Sequence, residues 1–241
     1  MKRNIDRLAG RTYDVLVVGG GIYGCTLARE AARRGLSVAI VDKNDFCSAT
    51  SANSLKIIHG GIRYLQQFDL LRLRQSVKER RTLMRIAPHL VHPLRCAMPT
   101  YGHGMKSREA LLCGILANGI LGWDRNRGLP RDKRIGLGRV GTRAEWLSMA
   151  PDVGDPRYTG VAFWEDAVAY NTERLATAFL KAAIRAGAEA ANYVEITGFL
   201  RSGQDVTGVA AMDKATGKPI TLSARCTVIN TGPWTRNTLA L

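Results

Sequence analysis

The fold follows from one stretch, YDVLVVGGGIYGCTLAREAARRGLSVAIVDK, at positions 13–43. It opens with DVLVV, a short run rich in β-branched residues that is typical of a buried parallel strand. The alanine- and leucine-rich residues 22–34 predict a helix that Gly35 ends. LSVAIV then predicts a second strand, and Asp42 follows it. The stretch therefore predicts a β-α-β unit and, with it, an α/β fold.

Three glycines in this unit, Gly19, Gly21 and Gly24, match the pattern G-x-G-x-x-G. The first allows a tight turn, the second lets the backbone approach a pyrophosphate, and the third lets helix and strand pack closely. The pyrophosphate would face the helix N-terminus, where free N–H groups favour an anion. Asp42 lies where an acid accepts hydrogen bonds from a ribose 2′-hydroxyl. The pattern predicts a dinucleotide, and because the acid disfavours a 2′-phosphate, NAD and FAD remain.

The flanking sequence favours FAD. A nicotinamide domain would normally continue into another helix after Asp42, but here the chain reads NDFCSATSANSLK, dense in hydroxyl side chains. Near the other end, ARCTVINTGPW predicts a strand that opens into Thr231 and Gly232, a return to the cofactor that is typical of flavoproteins. Between the two ends, an amphipathic helix is predicted from residue 174 to its end at Gly187, and residues 206–224 predict a β-hairpin with its tip at 213–218.

The segment SLKIIHGGIRYLQQ, residues 54–67, combines cations, two glycines and aliphatic residues. Together with VVGGGIYG, ERRTLMRIAPHLVHPL and INTGPW, it makes the sequence resemble the FAD-dependent glycerol-3-phosphate dehydrogenases, within the D-amino-acid-oxidase-like flavoproteins. The resemblance implies that this segment passes beside the flavin ring and reaches the substrate. Since the glycine motif and Asp42 predict dinucleotide binding, we expect FAD to bind noncovalently. The residues expected to hold it are Gly19, Gly21, Ile22, Gly24, Asp42, Lys43, Ser48, Thr50, Ser51, Lys56, His59, Gly61, Thr231 and Gly232.

The resemblance places three candidate catalytic residues in the same segment. His59 is either the base that takes the hydroxyl proton or a hydrogen-bond donor packed under the ring, and covalent flavin attachment through it is a third reading. Arg63 has the planar fork that suits a phosphate, with a structural salt bridge as the alternative. Tyr64 either hydrogen-bonds substrate or packs against the core. The expected reaction is hydride transfer from sn-glycerol 3-phosphate to FAD, with electrons passed on to quinone.

Two departures from the family leave alternatives open. The family continues for a comparable length beyond TGPW, so we expect this chain of 241 residues to be a fragment. The family's acidic pair before the helix near position 175 is replaced by YNTERL. A related flavoprotein that oxidises an amine or a 2-hydroxy acid, or a flavin-binding domain without turnover, therefore remains possible.

The net charge of +15 favours anionic partners: a small phosphorylated substrate, nucleic acid or an acidic membrane surface. Basic residues at 124–143 have no aromatic residues between them, which argues against nucleic acid. Five isolated cysteines predict neither a metal site nor disulfides, and no signal peptide is expected. EALLCGILANGILGW, residues 109–123, is too short to span a bilayer and predicts a buried or an interfacial helix. We expect a cytoplasmic protein, and the family resemblance implies that it is peripheral on the inner face of the membrane.

These patterns combine into one architecture. A Rossmann-like parallel sheet with a β-meander is expected to bind FAD and to comprise residues 1–87 and 168–241. The intervening residues 88–167 are expected to form part of an α+β substrate domain. Within residues 68–87 one helical face carries Leu70, Leu73, Val77, Met84 and Ala87, which predicts a helix that faces the core.

Overall fold

The computed structural model describes residues 3–241, which form two compact units. The first unit comprises the chain up to Leu55 together with Asn171–Leu241, and the second comprises Lys56–Tyr170. In chain order the helices and strands are α1 (Ile5–Ala9), β1 (Thr12–Val18), α2 (Ile22–Arg33), β2 (Val38–Val41), β3 (Ile57–Ile58), α3 (Leu70–Ile86), β4 (His92–Tyr101), α4 (Arg108–Leu121), β5 (Arg139–Thr142), α5 (Arg143–Met149), β6 (Tyr158–Val168), α6 (Thr172–Arg185), β7 (Glu189–Ala191), β8 (Val194–Ser202), β9 (Asp205–Asp213), β10 (Lys218–Ile229) and α7 (Thr235–Leu239).

A six-stranded sheet organises the first unit, with the strand order β7-β2-β1-β10-β9-β8. The first four strands are parallel, and β10, β9 and β8 form an antiparallel meander. The predicted parallel sheet with a meander is therefore confirmed. The sequence suggested a hairpin and a separate strand before Thr231. The hairpin forms between β9 and β10, but its second arm and that strand are one long strand, β10. Its first half, residues 218–223, pairs with β9, and its second half, residues 223–229, pairs with β1.

Apolar side chains cover both faces of this sheet, as expected for central parallel strands. Val17 belongs to a core that includes Ala28 of α2 and Leu180 of α6. Its neighbour Leu16 belongs to the opposite core, with α1 and the meander. Because successive side chains of a strand alternate between faces, a continuous apolar run is what a sheet buried on both sides requires.

The second unit is built on an antiparallel sheet around β6. Strand β4 pairs along most of β6, from His92 opposite Val168 to Tyr101 opposite Tyr158. The short strands β3 and β5 pair with the two ends of β6, at residues 167–168 and 160–163. Helices α3, α4 and α5 accompany the sheet, which agrees with the α+β character expected of this part of the chain.

The compact units differ in their bounds from the domains expected from the sequence. Residues 56–87 group with the second unit, whereas we expected them to belong with residues 168–241 in the FAD-binding part. The reason is long-range pairing: β3 is hydrogen-bonded to β6, and Arg80 of α3 is ion-paired with Asp166 of β6. Which unit binds FAD and which binds substrate stays a prediction.

The buried face of helix α3 is largely the predicted one, with one further residue, Arg80. Leu73, Val77 and Met84 are buried, whereas Leu70 in the first turn is 46% exposed. Arg80 also lies on this face and is only 2% exposed. A buried arginine requires a partner for its charge, and this requirement leads to the candidate site.

Helix α4 is not the buried helix that was one of the two alternatives for residues 109–123. Among its described residues only Ile115 is buried, while Leu116 is 53% exposed and Ile120 is 75% exposed. Leu112, Leu116 and Ile120 are spaced by four residues and so share one helical face. Within residues 3–241, no helix combines the length and the apolar character that crossing a membrane demands.

Candidate functional site

The glycine loop lies between β1 and α2 in the first unit. Gly19 adopts φ +104°, a backbone conformation that favours glycine. A Cβ atom at Gly24 would meet the carbonyl oxygen of Gly19, so the first turn of α2 packs directly on the loop. Gly21 is the N-cap of α2 and supplies no side-chain hydrogen bond to the helix. The loop therefore has the tight turn, the close packing and the side-chain-free N-cap that anion binding at this motif needs.

Asp42 follows β2 and braces the same loop. Its Oδ2 accepts a hydrogen bond from the Gly20 N–H at 2.6 Å, and its Oδ1 accepts one from the Asn44 N–H at 2.9 Å. A carboxylate has about four acceptor positions, so both oxygens can still accept from a hydroxyl group. Binding of a ribose by Asp42 stays a prediction, and bracing of the loop is a second task that the sequence motif does not reveal.

The hydroxyl-rich segment contributes Ser51 to the start of α2. The Ser51 Oγ accepts a hydrogen bond from the Ile22 N–H at 2.9 Å. Because the oxygen is the acceptor in this contact, the hydroxyl proton of Ser51 remains available to donate to an anion. Ser48 and Thr50 lie exposed on the same turns, and their expected contacts with the cofactor stay predictions.

The carboxyl ends of three parallel strands bring the other first-unit residues to the loop. The Gly19 N–H donates to Val41 at the end of β2, and the N–H of Asn230, after β10, donates to Val18. Thr231 and Gly232 follow directly. Lys43 is held close by, since its ammonium lies 4.6 Å from the centroid of the Trp234 ring. Ligands of open α/β sheets bind at this end of the strands.

Two cysteines that look isolated in the sequence meet behind the glycine loop. Cys25 and Cys47 are buried, and both thiols contact the carbonyl oxygen of Gly20, at 3.4 and 3.3 Å. Hydrogen bonding to Cys47, followed by burial, raises the pKa of Cys25. Cys25 therefore stays a neutral thiol that supports the loop.

The second unit holds the segment that begins at Lys56. The Lys56 Nζ donates to the carbonyl of Tyr170 at 3.1 Å, and its own carbonyl accepts from Ala169. A Cβ atom at Gly60 would meet the guanidinium of Arg80, and Gly61 adopts φ +89°. Contacts and backbone conformation within the second unit therefore already explain why both positions are glycine. A close approach of these glycines to the flavin stays a prediction.

The carboxylate of Asp166 is the centre of this segment's contacts. Its Oδ1 accepts from the Gly60 N–H at 2.6 Å and from Arg80 Nη1 at 2.7 Å. Its Oδ2 lies 3.2 Å from Trp164 Nε1 and 3.3 Å from His59 Nδ1. The Asp166 and Arg80 side chains are both 3% exposed, whereas that of His59 is 47% exposed. Burial holds the pKa of Arg80 below its usual value, although the charge of Asp166 acts in the opposite direction.

The sequence interpretation missed Asp166, Arg80 and Trp164. Asp166 is 107 positions from His59, and only the pairing of Ile58 with Ala167 brings the two together. Two signals were available: the adjacent acids Glu165 and Asp166 inside the otherwise apolar run VAFWEDAVA, and an arginine on the apolar face of α3. A buried charge on each of two elements is a reason to expect that the elements pair.

Arg63 and Tyr64 lie on a 3-10 helix, Ile62–Gln67, that starts after Gly61. Tyr64 is half-buried, and Arg63 is exposed. Among the described residues, the Arg63 guanidinium forms neither a hydrogen bond nor a salt bridge, and its role stays a prediction. No cluster of three or more potential metal ligands occurs in residues 3–241.

The first-unit residues fit a flavin dinucleotide. An anionic pyrophosphate is matched by a helix start whose N-cap, Gly21, has no side chain, and by the hydroxyl proton of Ser51, which the contact with the Ile22 N–H leaves available to donate. A Cβ at Gly21 would already lie 3.1 Å from the Ser51 Oγ. Hydroxyl groups of a ribose are matched by the remaining lone pairs of Asp42. The donor set is therefore that of a phosphate- and ribose-binding site, as FAD requires.

Comparisons with known proteins agree with this fit. The model of a family described as FAD dependent oxidoreductase, DAO, matches residues 14–241. A glycerol-3-phosphate dehydrogenase of Synechocystis sp. is 35% identical over 236 residues, which cover 96% of this chain and 41% of that protein. The aerobic glycerol-3-phosphate dehydrogenase of Staphylococcus aureus is 32% identical over 225 residues, 92% of this chain and 38% of that protein. The chain thus spans about two fifths of the length of these curated relatives.

Solved structures show the same fold. The glycerol-3-phosphate dehydrogenase of Bacillus halodurans complexed with FAD superposes with a TM-score of 0.71 at 25% identity, over 98% of this chain and 37% of that one. L-proline dehydrogenase of P. horikoshii superposes with a TM-score of 0.66 at 19% identity, over 94% of this chain and 55% of that one, a likeness of fold alone. Family model, relatives and fold agree, and the chain belongs to the DAO family of FAD dependent oxidoreductases.

Proposed function

We propose that the protein acts in the oxidation of sn-glycerol 3-phosphate to dihydroxyacetone phosphate, with FAD as the hydride acceptor and a quinone as the final acceptor. The observation that carries the substrate assignment is the exposed Arg63, which has no acidic partner among residues 3–241, four positions after His59. Similarity to glycerol-3-phosphate dehydrogenases over 96% of this chain supports it.

Arg63 is assigned to the phosphate of the substrate. A phosphate gives up water when it enters a closed site, and the charge-assisted, bidentate contact of an arginine offsets that cost. The pairing of Ile57 and Ile58 with β6 holds the segment that leads to Arg63 in place. Tyr64, on the same 3-10 helix, is assigned a hydrogen bond to the substrate.

His59 is assigned to the hydroxyl proton of C2. Oxidation of a secondary alcohol removes a hydride from carbon and a proton from oxygen, which leaves the ketone. FAD, when bound, supplies the acceptor for the hydride. The proton passes to an imidazole nitrogen of His59, because a neutral histidine offers a lone pair at neutral pH.

The test is an Arg63→Lys substitution, assayed for glycerol 3-phosphate oxidation with an artificial electron acceptor. The lysine keeps the charge but loses the fork, so kcat/KM should fall by about 2–3 kcal/mol, roughly 30- to 150-fold, with normal FAD content. Arg72→Lys is the matched control, since Arg72 is an exposed arginine whose partner is Asp69, the N-cap of the same helix. Equal turnover by Arg63→Lys and the wild type would remove Arg63 from the site.

A second substrate class is kept because of one observation. In place of the family's acidic pair, this chain has YNTERL at residues 170–175, and Asn171 serves as the N-cap of α6. An amine or a 2-hydroxy acid is therefore the alternative substrate. A panel of these compounds with glycerol 3-phosphate, scored by bleaching of the flavin, separates the two, since only the true substrate reduces the cofactor rapidly.

We also propose that the protein is cytoplasmic and binds reversibly to an anionic membrane surface, where a quinone would be reached. The support is the apolar face of Leu112, Leu116 and Ile120 on α4, in a chain with a net charge of +15. An interfacial helix buries such a face at the headgroup boundary, and basic residues near the surface add about 1 kcal/mol each.

Vesicle sedimentation tests this surface. Binding to anionic vesicles should weaken as salt rises, since salt screens the charges, and Leu116→Ser with Ile120→Ser should weaken it further. Leu36→Ser, which changes an exposed leucine of the first unit, is the control. Binding that is equal for neutral and anionic vesicles at all salt concentrations would contradict the proposal.

A further inference from the structure

The buried carboxylate of Asp166 carries an inference that rests on the proposed role of His59. Two donors reach each of its oxygens: Gly60 N–H and Arg80 Nη1 at Oδ1, and Trp164 Nε1 and His59 Nδ1 at Oδ2. A carboxylate paired with a guanidinium has no proton of its own, so it only accepts hydrogen bonds. Each of the four neighbouring groups must therefore supply the hydrogen.

This requirement decides which nitrogen of the His59 ring carries the proton. A neutral imidazole has one N–H and one lone pair, and the hydrogen bond made by one nitrogen determines the state of the other. The contact with Asp166 is made by Nδ1, at 3.3 Å. If Nδ1 of His59 carries the proton, the lone pair of the neutral ring is on Nε2, the nitrogen that does not contact Asp166.

We propose that Asp166 is a positioning residue for the reaction: it holds His59 as the Nδ1–H tautomer, so that Nε2 is the atom that receives the substrate hydroxyl proton. Asp166 does not touch the substrate in this account. Arg80 and the Gly60 N–H fix the carboxylate from the other oxygen, and their burial means that the carboxylate cannot turn away without leaving a charge unpaired.

The same contacts give a reason for the buried ion pair. Replacement of a buried pair by apolar residues often costs nothing in stability, so stability alone does not explain its presence. Here one oxygen of Asp166 is used to hold the pair, and the other is directed at an exposed histidine. The pair thus provides a fixed acceptor for one ring nitrogen.

Nitrogen NMR of the histidine rings tests the proposal directly, in protein purified with its FAD and at alkaline pH, where the imidazoles are neutral. The chain has four histidines, so the ring signals are few, and His59→Gln identifies those of His59. The wild type is expected to show the proton on Nδ1, and Asp166→Asn is expected to move it to Nε2, because the amide can present an N–H to the ring. Asp124→Asn is the control, since it breaks a carboxylate–arginine pair in the same unit that has no histidine.

The kinetic readout is independent of the spectroscopic one. Asp166→Asn should lower kcat about 100-fold, the lower end of the range for general acid–base catalysis, with FAD content retained. Wild-type protein with the His59 proton on Nε2 overturns the proposal, even if Asp166→Asn fails to fold. An unchanged tautomer in folded Asp166→Asn overturns it as well. Failure of the wild type to oxidise glycerol 3-phosphate would instead refute the proposed substrate, and the NMR result would stand by itself.

Discussion

The glycine loop of the first unit and the Asp166 cluster of the second unit solve opposite problems. In the loop, side chains are removed so that backbone groups approach one another, as at Gly19 and Gly24. In the cluster, charged side chains are added to a buried place, and every donor must meet an acceptor, as for Arg80 and Asp166. We therefore expect substitutions that add atoms to destabilise the loop, and substitutions that remove a charged side chain to destabilise the cluster.

Gly24→Ala gives the largest expected effect and tests the loop side of this contrast. The new Cβ would meet the Gly19 carbonyl, which cannot move without opening the turn. We expect a loss of more than about 5 kcal/mol of stability, or a chain that does not fold, and no FAD binding. Chemical denaturation and flavin absorbance measure both.

Gly114→Ala is the matched control for this substitution. Gly114 is also helical, and a Cβ there would meet no atom within 4 Å. Alanine should therefore stabilise the protein by up to about 1 kcal/mol. Similar results for the two glycines would show that close packing is not what Gly24 provides.

Arg80→Met tests the cluster side and should cost about 3–5 kcal/mol, because it leaves the carboxylate of Asp166 buried without its counter-charge. The double substitution with Asp166→Leu should recover most of this loss, since both charges are then gone. Urea denaturation of the two single variants and the double variant gives the coupling. A double variant that loses as much as the sum of the single variants would mean that the two residues act separately.

The ion-paired carboxylate of Asp124 extends the comparison to the dependence of stability on pH. Hydrogen bonding to Arg74, followed by Arg81, lowers the pKa of Asp124 to about 2. A lowered folded-state pKa adds stability that is present above the unfolded value near 4 and is lost as the pH falls towards 2. Asp124→Asn should therefore cost about 1–2 kcal/mol at neutral pH, and denaturation curves of wild type and variant should converge in acid. A difference that is the same at pH 7 and at low pH would contradict the charge interaction.

Asp155 should give the smallest effect, although Arg157 also lowers its pKa to about 2. The side chain of Arg157 is 79% exposed, so solvent screens the pair. Asp155→Asn should therefore change the free energy of unfolding at neutral pH by less than Asp124→Asn does. If Asp155→Asn lowered the free energy of unfolding as much as Asp124→Asn, the lowered pKa alone would determine the contribution of an ion pair, and its burial would not matter.

The same contrast explains what could be predicted from the sequence. Strand, glycine turn, helix and strand at 13–43 interact within about 30 residues, so spacing was enough to predict the β-α-β unit. The contacts of Asp166 depend on strand pairing across 107 positions, and no local pattern encodes that pairing. The apolar run at 109–123 correctly predicted the helix α4, but such a run does not say which face is covered, and Leu116 and Ile120 are exposed there.

The pairing of β1 with β10 has a consequence for synthesis on the ribosome. Val18 lies opposite Ile229, so an interval of 211 residues separates two adjacent strands. At about 5–20 residues per second, β1 waits roughly 10–40 s for this neighbour to be made. The second unit is continuous in the chain and is completed during that delay. Until β10 arrives, β1 has an unpaired, apolar edge, which is the kind of surface that holding chaperones recognise and that aggregates when they are scarce.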